Sequence, residues 1–173
     1  DIYLTNYGEK HIDVANCYAN MGYNYTARHE HDNALEYCKK AQEIYENFGE
    51  KSANVAACYN SMGLTYFYKK EYSKALEYYK KAIDMFHTIH LDTQPNTAVC
   101  YLNMGQATLL LGQEEEAATY FKKSQEINIA VFGKEHSTVA TFDNYIKQIY
   151  ASATNKKRHN STIRSLFKKL FKG

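Results

Sequence analysis

The chain has 173 residues, 45% of them hydrophobic and 23% charged, with one proline and eight glycines. That length suits one domain or a short array of repeated units. With a mean hydropathy of −0.60 and no apolar run near ~18 residues, the composition excludes a transmembrane helix. A formal charge of +2 argues against a dedicated nucleic-acid binder, and residues 1–10 lack the apolar stretch of a secretory signal.

Apolar spacing predicts helices near 12–27, 31–48, 53–69, 72–90, 96–111, 114–132 and 137–152. They fall into copies. Ala15 to Tyr25 reads A-N-C-Y-A-N-M-G-Y-N-Y, Ala56 to Tyr66 reads A-A-C-Y-N-S-M-G-L-T-Y, and Ala98 to Thr108 reads A-V-C-Y-L-N-M-G-Q-A-T. A weaker fourth copy spans Ala140 to Tyr150, with Asp143, Ile146 and Lys147 where Tyr, Met and Gly stand in the others. A second block follows each of the first three: Ala34-Leu35-Glu36-Tyr37, Ala75-Leu76-Glu77-Tyr78 and Ala117-Ala118-Thr119-Tyr120. The connector repeats too, Gly8-Glu9-Lys10-His11 matching Gly133-Lys134-Glu135-His136. Pro95 stands where a helix should start, since its missing N–H costs nothing in a first turn.

The repeated residue types suggest close helix packing. Gly22, Gly63 and Gly105 are expected to face Ala34, Ala75 and Ala117, where a larger side chain would push two helices apart. The large residues Tyr18/Tyr59/Tyr101, Met21/Met62/Met104 and Cys38/Tyr79/Phe121 then fill the remaining gaps. Nine of the 17 tyrosines occupy three repeat slots (18/59/101, 25/66/150 and 37/78/120), so most read as packing residues and not as a binding signature.

These residues resemble the tetratricopeptide repeat, whose signature is large–xx–large–small–xx–Tyr followed by small–xxx–aromatic–xx–small. The 42-residue period and the connector look like the longer subclass of kinesin light chains and nephrocystin-like proteins. The resemblance implies an all-α, right-handed superhelical solenoid of antiparallel helix pairs over residues 1–155. A partial repeat covers 1–10, full repeats cover 11–52, 53–94 and 95–136, and 137–152 is the first helix of a fourth. Because Ile2 to Gly8 aligns with Ile127 to Gly133, the chain is expected to be a fragment of a longer array. Thr108, Ser124 and Lys147 depart from the signature.

No residue pattern supports catalysis. Cys17, Cys58 and Cys100 share one repeat position and should not converge; with Cys38 they read as buried thiols in a reducing, cytoplasmic setting. His29-Glu30-His31-Asp32 reads as a solvated turn, and His87 and His90 as surface residues. The resemblance implies that His11 and His136 shape turns. Glu114-Glu115-Glu116 opens a helix, where carboxylates complement the dipole. Phosphate loop, dinucleotide fingerprint and nucleophile elbow are all missing from the sequence. The expectation is no enzyme, no cofactor, no metal and no small-molecule substrate.

What the resemblance does imply is a concave groove for a peptide or helix. Carried onto this chain, its residues are Asn16 and Tyr23; Asn60, Leu64, Phe67 and Tyr68; Leu102 and Gln106; and Asn144. The groove lacks Lys and Arg, so it lacks the basic clamp that some members use on acidic peptide ends. Asn16, Asn60 and Asn144 read as one repeated amide position suited to a ligand backbone, between apolar and aromatic walls.

After Tyr150 the composition changes. Residues 156–173 hold seven of the 21 Lys and Arg and no acid, which leaves 14 cations against 19 acids in residues 1–155. Ile163, Leu166, Phe167, Leu170 and Phe171 fall on one helical stripe, opposite Arg164, Lys168, Lys169 and Lys172. This segment is expected to be a degenerate last helix that caps the array. The alternatives are an anionic membrane, another protein, or a second copy of the chain; nucleic acid is not expected. The function read from the sequence is a protein-interaction scaffold, with a membrane-tethered adaptor or a regulatory appendage to an enzyme as alternatives.

Overall fold

The computed structural model describes residues 11–156, whose regular elements are all α-helices. They are α1 (Ile12–Ala27), α2 (His31–Phe48), α3 (Ala53–Tyr68), α4 (Tyr72–Thr88), α5 (Pro95–Leu110), α6 (Glu114–Phe132) and α7 (Ser137–Lys156). Their ends agree with the expected ones to within two residues, except that α7 runs past the expected 152 to Lys156. The expected helix over residues 161–172 lies outside the described residues. Two compact units divide between Asp92 and Thr93.

In the first unit α1 pairs with α2 and α3 with α4, while α3 also packs on α1 and α2. Val14, Cys38, Ala41, Ile44, Tyr45, Val55, Cys58 and Met62 form one core there. In the second unit α5 pairs with α6, and α7 packs on both. Ser124, which takes the place of a small alanine, is wholly buried and donates its hydroxyl to the Ala98 carbonyl at 2.8 Å. That bond lets a polar group sit where Ala41 and Ala82 sit in the other repeats.

The glycines explain the pairing. A Cβ on Gly63 would stand 2.5 Å from the Tyr79 ring, on Gly105 2.6 Å from the Phe121 ring, and on Gly22 2.4 Å from Cys38 Sγ. The partner of each glycine is thus the large residue of the second helix, more than the alanine expected from the sequence. Alongside, Tyr25 stacks on Tyr37 and Tyr66 on Tyr78, both at 5.3 Å between centroids. Lys40, Lys81 and Lys123, at one repeat position, lie 5.1, 5.0 and 5.2 Å from the rings of Tyr37, Tyr78 and Tyr101. Each lysine stem covers aromatic surface while its charge gains a cation–π contact. In the third repeat Thr108 replaces the stacked ring, and its buried hydroxyl has no hydrogen-bond partner among the described residues.

Helix reversals use left-handed residues, and not all are glycine. Gly49 and Gly112 share this role with His29, Lys70 and His90, whose φ values are 60°, 64° and 57°. At Lys70 the amide donates to Phe67 O and the next amide to Tyr66 O, the paired bonds that close a helix end. A side chain in that region costs about 1 kcal/mol. Lys70→Gly is therefore expected to raise stability by about 0.5–1 kcal/mol in urea denaturation. His11 and His136 cap α1 and α7, each accepting through Nδ1 from an amide two residues on, at 3.2 Å. Those are the turn-shaping histidines that the resemblance implied.

Candidate functional site

A recess of about 100 Å³ opens in the first unit between α1 and α3. On one side stand Asn16, Ala19, Asn20 and Tyr23, one stripe of α1; on the other, Asn54, Ala57, Cys58 and Ser61 of α3. Small residues at Ala19, Ala57 and Ser61 leave the space, and none of the eight carries a charged acid or base. Tyr23, 60% exposed, stands at the rim.

Asn16 is held from behind. Its Oδ1 accepts from the Tyr45 hydroxyl at 2.7 Å and from Asn54 Nδ2 at 2.9 Å. Burial pushes the Tyr45 phenol well above its ordinary pKa, so the hydroxyl stays protonated and remains a donor. With its carbonyl doubly engaged, Asn16 has its Nδ2 protons left for a further acceptor. A preformed recess with a fixed amide donor suits a carbonyl oxygen of an extended segment.

The structure sorts the residues proposed from the sequence. Asn16 and Tyr23 line the recess together; Asn20, Asn54 and Ser61, which sequence reasoning missed, line it with them. Asn16 does not share a repeat position with Asn60 and Asn144: the 41-residue offset aligns Asn16 with Ala57, and Asn60 with Ala19. Asn60 and Leu64 are half-buried, and Asn144 is exposed. Tyr68 lies about three helical turns beyond Ala57. It stacks on His31 at 5.8 Å and meets His29 edge-on at 4.9 Å, so it covers the α1–α2 turn and is no wall of the recess. The turn is solvated as expected, with His29 and Asp32 exposed, and the Tyr68 ring packs on its two histidines. Phe67 packs between Tyr68 and Tyr72, at 5.9 and 5.5 Å. Leu102 is buried, 6% exposed, and offers no groove surface. Arg164, Phe167, Lys168, Lys169 and Phe171 lie outside the described residues.

In the second unit larger side chains stand at the equivalent positions. Leu102 stands where Ala19 does, and Tyr145 where Ser61 does. Gln106, at the position of Tyr23, donates to the Tyr145 hydroxyl at 3.0 Å. Larger side chains and a bridging bond thus stand between α5 and α7, where small residues stand between α1 and α3.

The thiols are packing groups. The four cysteines form no disulfide with one another, and only Cys17 is not fully buried. Cys58 donates to the Cys38 carbonyl at 3.5 Å; its interaction with Cys38 and its burial raise its pKa. Burial pushes the Cys100 thiol up to about 12. His87 is paired with Asp92. Among the described residues no group of three or more His, Cys, Asp and Glu is placed to hold a metal ion, and no helix is long and apolar enough to cross a membrane.

Comparison with known proteins agrees with this architecture. Two family profiles, each described as tetratricopeptide repeat, match residues 13–88 and residues 97–138. No curated protein matches the chain. The two matched segments together span more than half of the chain and coincide with its helix pairs, and the chain belongs to the tetratricopeptide repeat family.

Proposed function

We propose that the chain is a non-enzymatic scaffold that takes an extended partner segment in the recess between α1 and α3. Repeats of this family are generally protein-interaction scaffolds. The observation that carries the reading is Asn16, whose carbonyl is committed to Tyr45 and Asn54 in an uncharged recess lined by small residues. A segment bound there needs a carbonyl acceptor and a small or apolar side chain, and no acidic terminus. Charged ligands would leave their charge unmatched, which costs affinity.

Selection from a random peptide library on the whole chain tests this. Ala57 is exposed, so Ala57→Arg fills the recess without disturbing the core. Selected peptides are expected to lose on the order of 30-fold in affinity for that variant, about 2 kcal/mol. They should bind Tyr145→Ala, in the second unit, as well as wild type. Peptides indifferent to Ala57→Arg but lost on Tyr145→Ala would overturn the assignment.

A further inference from the structure

In the first two repeats the chain itself completes each tyrosine pair. Tyr25 stacks on Tyr37 and has the Arg28 guanidinium 6.0 Å from its own ring; Tyr66 stacks on Tyr78 and has Lys74 Nζ at 5.4 Å. Each repeat thus supplies an inner ring, an outer ring and a cation. The third repeat keeps the inner ring, Tyr120, and loses the other two. Thr108 stands where Tyr66 does, Leu111 where Arg28 and Lys69 do, and Glu116 where Lys74 does.

What remains is an aromatic face beside an acid. Tyr120 is half-buried, with Tyr101 stacked on it at 6.3 Å, and no other ring of the described residues stacks on it. Its hydroxyl donates to Glu116 Oε1 at 2.8 Å, which pins the carboxylate beside the ring and leaves Oε2 for another donor. Thr108 is 0% exposed, and its Oγ1 has no hydrogen-bond partner among the described residues. The slot that a tyrosine fills in the other repeats therefore holds an unsatisfied polar atom, which is rare in a folded chain.

No local cation answers the carboxylates. Residues 93–121 contain Glu114, Glu115 and Glu116 but no Asp, Lys, Arg or His. The next lysines along α6 are engaged elsewhere, Lys122 with Glu126 at 3.5 Å and Lys123 on the Tyr101 ring at 5.2 Å. The N-terminus of α6 contributes only about half a positive charge against the three glutamates.

We infer that the Tyr120 face and Glu116 take an arginine side chain of a partner protein. Guanidinium is the protein cation that is both planar and permanently charged. It stacks on a ring as Tyr66 does, carries the charge that Lys74 carries, and donates in a fork to a carboxylate. The site lies in the second unit and is independent of the recess between α1 and α3.

The test is titration of the whole chain with N-acetyl-arginine amide, followed through the Tyr120 ring and Glu116 amide signals in NMR spectra. The citrulline analogue keeps the plane without the charge, and the lysine analogue keeps the charge without the plane. Arginine should bind severalfold more tightly than either and weaken as salt rises. Glu116 is exposed, and Glu116→Lys installs the residue that the second repeat carries there. It should weaken the arginine probe on the order of tenfold, whereas Glu135→Lys, at another exposed acid, should leave it unchanged. Tyr120 signals that do not move would overturn the inference, as would Glu116→Lys without effect. So would citrulline bound as well as arginine, which marks stacking alone. Lysine bound as well as arginine, or equal losses in the two variants, would mark a diffuse acidic surface and overturn it too.

Discussion

Tyr79→Ala is expected to cost about 3–5 kcal/mol in urea denaturation, the range for losing a wholly buried aromatic ring. Tyr79 is 0% exposed and lies in the slot that Gly63 leaves open. The sharper form of this expectation is a double-mutant cycle. On its own, Gly63→Ala should destabilise by about 1–3 kcal/mol: overpacking against the ring outweighs the ~1 kcal/mol that alanine contributes to a helix over glycine. In the Tyr79→Ala background the clash is gone, and Gly63→Ala should be neutral or stabilising. Costs that simply add would mean that the glycine is not there to admit the ring.

Raising the pH above 9 is expected to unfold the chain progressively. Cys100 has its pKa raised by burial from 9.0 to about 12. Its folded value lies above its unfolded one, so its contribution is fully present below pH 9 and is lost as pH rises towards 12. At about 1.4 kcal/mol per unit, Cys100 alone accounts for roughly 2–3 kcal/mol by about pH 11. Cys58 and Tyr45 are shifted in the same direction, chiefly by the Cys38 interaction and by burial respectively, and add to the slope. Stability measured from pH 7 to pH 11 checks this. Cys100→Ala should flatten the curve, and a curve already flat in wild type would contradict the burial of these groups.

The fold was legible because it repeats. Three copies of one pattern put Gly22, Gly63 and Gly105 in register before any coordinates, and the large residue that meets each glycine lies in a block that repeats as plainly. The reversals at His29, Lys70 and His90 were hidden, since none carries the glycine that usually marks a left-handed residue. The recess was half legible. Asn16 and Tyr23 stood out on α1, but the facing wall of Asn54 and Ser61 depends on how α3 turns towards α1, which periodicity within one helix does not fix. Asn20 had a signal that went unused: it shares a repeat position with Ser61 and Asn103, all polar on helices otherwise rich in apolar residues. Leu102 misled for a related reason, because the position that is open as Ala19 is closed by a leucine. Tyr68 was placed on the right stripe, and only the histidines of the α1–α2 turn, distant in sequence, reveal what it covers.

The side-chain amide of Asn16 offers the most direct measurement on the scaffold reading. In nitrogen-15 spectra of the whole chain titrated with a selected peptide, the Asn16 Nδ2 signals should shift most. Asn20, Asn54 and the Ala57 backbone should move with them, and Ala57→Arg should abolish the shifts. Shifts confined to Leu110 and Tyr145 in the second unit, with Asn16 unmoved at saturation, would contradict the account.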